Sequence, residues 1–106
     1  MAEPYLTDLQ IILGRAEFDA ITCKHFFSGA AAYVEGRIFM SLSPAGLALK
    51  LPEDDLKALF GQGAKPLQYF PKAPVKKDYV VLPPHMVDDI SVLSDWIGRS
   101  IAFVRA

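Results

Sequence analysis

Cys23 and His25 are the residues of this chain best suited to covalent or metal chemistry, and they lie two positions apart. On an extended strand that spacing puts both side chains on one face. A thiolate beside an imidazole is a nucleophile and base in outline, and sulfur and nitrogen both ligate zinc. A zinc site needs about four ligands, or three and a water. The other histidine, His85, stands sixty positions away, and there is no second cysteine. The pair therefore predicts no metal site and a small buried thiol at a strand start.

The acidic groups Glu53-Asp54-Asp55 and Asp88-Asp89 could in principle supply acid–base chemistry. Consecutive helical residues point in different directions, so they do not converge on a substrate. Placed at helix starts, they complement the positive end of the dipole and satisfy free N–H groups. The sequence carries no phosphate-cradling glycine loop, no Ser-His-Asp signature and no paired-histidine helix. It predicts no catalytic residue, no cofactor and no enzyme.

The remaining chemical feature is basic. Lys65, Lys72, Lys76 and Lys77 fall within one segment with a single acid, Asp78, and with Tyr69, Phe70 and Tyr79 among them. Lysines interleaved with aromatic rings suit a phosphate backbone or a single strand. Lysine and proline also protect sheet edges from unwanted pairing. The net charge of the whole chain is −1 and its pI about 6.0, which gives no global attraction to nucleic acid or anionic lipid. Edge protection is the favoured reading and nucleic-acid contact the alternative.

These residues must be positioned by one domain, since 106 residues leave no room for two cores. The composition, 52% hydrophobic and 22% charged, is that of a globular chain. The amino terminus, Met1-Ala2-Glu3-Pro4, lacks the basic region of a signal peptide. No apolar run reaches the ~20 residues that span a bilayer. A soluble, cytoplasmic protein is expected, with no membrane contact.

Tyr5, Leu9, Ile12, Leu13 and Ala16 make a helical stripe, with Pro4 ahead of it. Between Ile21 and Leu51 the period becomes two. Ile38, Met40 and Leu42 share one face, and Arg37, Phe39, Ser41 and Ser43 the other; Leu47, Leu49 and Leu51 oppose Ala48 and Lys50. Glu35-Gly36 and Pro44-Ala45-Gly46 supply tight turns. A helix is expected from Pro52 to Phe60, strands near 66–70 and 78–82, and a helix from Asp89 to Phe103. Ile90, Leu93, Ile97 and Ile101 form the stripe of that last helix, with Trp96, Phe103 and Val104 partly off it as core or as a self-association patch. The expected fold class is α+β, a two-layer sandwich. It has a five-stranded antiparallel sheet with helices on one face, in the order α-β-β-β-α-β-β-α.

Phe27 and Gly29, then Tyr33, Gly36, Arg37 and Phe39, then Leu47, Leu49 and Lys50, then Pro66, Tyr69, Tyr79, Pro83, Leu93 and Trp96 follow an order and spacing that resembles one family. It is the TfoX N-terminal domain family, the amino-terminal half of bacterial competence regulators. The resemblance runs from Leu6 to Arg105 and implies an α+β fold with a five-stranded antiparallel sheet. Where the family has Met-Phe-Gly-Gly, this chain reads Phe26-Phe27-Ser28-Gly29, one close-approach glycine fewer. Two-domain regulators carry a second helical domain after this one. The chain ends at Ala106, so activity resting on that domain is not expected of it.

The resulting expectation is a non-enzymatic regulatory or protein-interaction domain working as a homodimer or against another protein. Its contact surface would be the free sheet face carrying Arg37, Phe39, Ser41, Ala48 and Lys50. A nucleic-acid accessory using Lys65, Lys72, Lys76 and Lys77 is the alternative.

Overall fold

A two-residue turn at Glu35-Gly36 organises the sheet. Glu35 and Gly36 have φ of 52° and 78°, the left-handed pair that matches the twist of a hairpin. The computed structural model describes residues 5–15, 21–26, 29–68, 72 and 74–106. Its elements are α1 (Tyr5–Arg15), β1 (Ile21–Phe26), β2 (Gly29–Val34), β3 (Arg37–Ser43), β4 (Gly46–Lys50), α2 (Glu53–Phe60), β5 (Lys65–Leu67), β6 (Lys76–Val81), α3 (Pro84–Val87) and α4 (Ile90–Arg105).

The class is α+β with an antiparallel sheet, as expected, but the sheet has six strands rather than five, ordered β1-β2-β3-β4-β6-β5. The additional strand comes from the segment before Glu35. Six register pairs join β1 to β2, from Ile21↔Val34 to Phe26↔Gly29. Strand β2 reads Gly-Ala-Ala-Ala-Tyr-Val and shows no polar–apolar alternation, because Ala30, Ala31 and Ala32 are all buried. Alanine favours helices in isolation; burial of both faces of a central strand overrides that preference. A second departure is α3, a single turn after Pro83 that precedes α4.

A bulge in β3 changes which side chains share a face. Ala32 pairs with Met40 and Tyr33 with Ile38, so Phe39 is an extra residue on β3. Strict alternation would place Phe39 with Ser41 on an open face. Instead Phe39 and Met40 both enter the main core cluster, and both are fully buried. The expected free contact face is corrected as well, and beyond the bulge too, at the regular pair Ser41↔Ala48. Phe39 is 0% and Ser41 1% exposed, and Ala48 is buried as well, whereas Arg37 is exposed and Lys50 half-buried. Ile38, expected in the core with Met40, is half-buried.

The core gathers Leu9 and Leu13 of α1, Ala30, Ala32, Met40, Leu49 and Val80 of the sheet, Leu59 of α2, Met86 of α3, and Leu93, Ile97 and Val104 of α4. Helix α2 follows Pro52 with three acids in its first turn, where the dipole favours them. Helix α4 is capped by Asp89, whose carboxylate accepts from Ser91 N and Val92 N. Burying this set supplies the main driving force at roughly 25 cal/mol per Å² of apolar surface.

Candidate functional site

Beyond Met40↔Leu49 the β3–β4 ladder stops, and a cleft opens at this end of the sheet. It is an open depression of about 530 Å³ lined by Gly36, Arg37, Ile38, Lys50, Asp78, Phe103, Val104 and Ala106. Two irregularities shape it. One is the Phe39 bulge. The other lies in β6, where the register with β5 shifts between Pro66↔Val80 and Leu67↔Lys76 and Asp78 takes φ 68°. Aspartate is among the few L-residues that visit this region readily, and bulges commonly re-aim side chains at functional places.

Three charged side chains line the cleft. Arg37 Nη1 donates to Val104 O at 2.6 Å, which caps the negative end of α4. Lys50 Nζ lies 6.0 Å from the centre of the Tyr79 ring, a cation–π distance. The Asp78 backbone carbonyl accepts from Leu51 N at 2.9 Å. Among the described residues, Arg37, Lys50 and Asp78 form no ion pair with one another or with any other group. Ile38, Phe103 and Val104 supply the apolar part of the wall.

Of the four residues expected at a protein contact, the structure therefore brings Arg37 and Lys50 together and buries Phe39 and Ser41. Sequence reasoning missed Asp78 and Phe103. The one available signal for Asp78 was a lone acid at the end of a lysine run. Phe103 was noted only as lying off the helical stripe.

The lysine cluster divides in two. Lys65 pairs with Val81 at one end of β6, and Lys76 pairs with Leu67 at the other, on the order of 15 Å apart at strand spacing. Lys65, Lys72, Lys76 and Lys77 are all exposed. Strand β5 is the sheet edge, is three residues long and contains Pro66, the features by which edges resist pairing. Tyr69 and Phe70 lie outside the described residues.

Cys23 packs partly against the core, and His25 is exposed. Burial pushes the Cys23 thiol up from its ordinary pKa, which is opposite to the activation a nucleophile needs. No hydrogen bond joins the two side chains. Among the described residues, no helix is long and apolar enough to cross a membrane.

A search among curated proteins found no match. The model of the TfoX N-terminal domain matches residues 15–104, nearly the whole chain. That span covers the Glu35-Gly36 turn, α4 up to Val104 and the lining of the cleft apart from Ala106. The chain belongs to the TfoX N-terminal domain family.

Proposed function

We propose that this chain is a non-enzymatic regulatory domain acting by contact with another protein or with a second copy of itself. The observation that carries the reading is the family match along nearly the whole chain, a family that forms the amino-terminal half of competence regulators. The positions of the titratable groups support it. Glu53 pairs with Lys57, Asp55 with Arg99, and Asp89 caps α4, so these acids serve helix ends and surfaces. Arg37 and Lys50, at the open end of the sheet, are the remaining contact candidates.

A photo-crosslinking residue at position 50, in the expressed chain, tests this. The expected result is one defined product, either a homodimer or a single heterologous protein, that disappears on Arg37→Gln. A product pattern indistinguishable from that of a crosslinker placed at exposed Gln62 would overturn the contact reading.

A further inference from the structure

We infer that β1 is an assembly edge: it pairs antiparallel with β1 of a second copy of this chain, about a two-fold axis at Cys23. The inference goes beyond the contact reading, because it fixes the partner as a second copy and uses an edge strand rather than Arg37 and Lys50.

The six-stranded sheet has two edges, β1 and β5, and they are built differently. Strand β5 has three residues, contains Pro66, carries the exposed Lys65 and shifts register against β6. Each of these features discourages another chain from pairing. Strand β1 runs six residues, holds no proline and pairs with β2 without a register shift. Its one lysine leans inward, with Lys24 Nζ 5.6 Å from the centre of the Tyr33 ring on β2, so the charge does not guard the edge. Among the described residues, no strand and no backbone hydrogen bond from outside the sheet occupies the outer side of β1. The unpaired N–H and C=O groups of such an edge are a template for another strand.

The side chains of β1 make it complementary to itself. Ile21 and Cys23 pack partly against the core, whereas Thr22 and Lys24 are exposed on the opposite side. A two-fold axis normal to the sheet reverses the strand and keeps the core-facing side of both copies on one side. Residues directly opposite then come from the same side, so the axis passes through a residue rather than between two. An axis at Lys24 would set two lysines against each other, which is destabilising. An axis at Thr22 would pair only Ile21, Thr22 and Cys23 of β1. An axis at Cys23 pairs 21–25: Cys23 meets Cys23, Thr22 meets Lys24, and Ile21 meets His25. That register opposes no two lysines, and a net charge of −1 per copy adds little repulsion at longer range.

The test is sedimentation velocity of the expressed chain over a concentration series, with an NMR dilution series of the isotope-labelled chain beside it. The parent should pass from monomer to dimer below about 1 mM, and the amides of 21–25 should shift on dilution. Thr22→Lys sets lysine against Lys24 on both sides of the axis and should weaken the dimer about tenfold. Adding Lys24→Glu to that variant turns both pairs into opposite charges and should restore the parent affinity. The inference is overturned if the parent is still monomeric at about 1 mM, or if the amides that shift exclude 21–25. It is overturned equally if Thr22→Lys leaves dimerisation unchanged or if Lys24→Glu does not rescue it. The dilution series uses the parent alone, so it decides the matter even where a variant folds poorly. The crosslinker at position 50 reads a different surface, so failure here leaves that result standing, and the reverse also holds.

Discussion

The hydroxyl of Ser100, in α4, lies 2.7 Å from the carbonyl oxygen of Lys50, in β4. It is also 2.9 Å from the carbonyl of Phe39. One hydroxyl proton thus serves two acceptors at the place where the β3–β4 ladder stops. A helix side chain here serves carbonyls of both strands just past their last pair, Met40↔Leu49. Ser100 is fully buried, so its loss leaves the carbonyls without this donor. Ser100→Ala should cost about 1–3 kcal/mol. Denaturant unfolding should show a lower midpoint with an unchanged slope; a midpoint equal to that of the parent protein would show that the hydroxyl is dispensable.

Two glycines should respond very differently to alanine. A Cβ on Gly29 would collide with the backbone of Leu42 and Ser43, whereas a Cβ on Gly36 meets nothing within 4 Å. Gly36 is constrained only by its φ of 78°, so Gly36→Ala should cost roughly 1–2 kcal/mol. Gly29→Ala requires two strands to part and should cost about 3 kcal/mol or more. Thermal melts of the two variants check the order, and equal losses would contradict the close approach at Gly29.

The raised pKa of Cys23 has a reactive and a thermodynamic consequence. At mildly alkaline pH the folded protein should be alkylated more slowly than a free cysteine, because less thiolate is present. In the unfolded chain the thiol ionises first. The contribution of Cys23 to stability is therefore complete below the ordinary thiol pKa and is lost as pH rises above it. Stability–pH curves of the parent and Cys23→Ala should converge toward high pH; a gap that stays constant would place Cys23 in water.

If the lysines protect the β5 edge, binding to DNA at physiological salt should stay at non-specific levels, on the order of 10⁻⁴–10⁻⁶ M. Replacing Lys65, the lysine of β5, with glutamine should then increase aggregation, and replacing Lys72, Lys76 and Lys77 should leave DNA affinity unchanged. A submicromolar, steeply salt-dependent complex, lost in the same triple variant, would make the nucleic-acid alternative the correct one.

Much of the fold was legible where one physical rule acts alone. Pro52 with the acids after it marks the start of α2, and Asp89 caps α4, because local capping chemistry depends on few neighbours. Glu35-Gly36 was readable as a hairpin turn for the same reason. The bulge at Phe39 was not. It depends on the pairing of β3 with β2, and a one-residue insertion reverses the faces of everything before it. That insertion put Phe39 in the core, while Arg37 stays exposed and Lys50, on β4, is half-buried. Strand β2 escaped notice because a run of alanines carries no period. The cleft itself combines residues from four separated segments, and no spacing in the sequence connects Arg37 with Asp78 and Phe103.

Helix α4 is fastened to the sheet at successive heights. Ser100 holds it to Phe39 and Lys50, Arg37 grips Val104 O at 2.6 Å, and Arg105 reaches Glu35 at 2.6 Å. The outermost pair is exposed and contributes little energy, but the inner attachments are shared with the walls of the cleft. The helix therefore works as a strut rather than a hinge. Torque applied near Arg105 would reach Arg37 before any flexible joint could absorb it, and stiffening of the cleft would in turn fix the direction in which the last turn of α4 points.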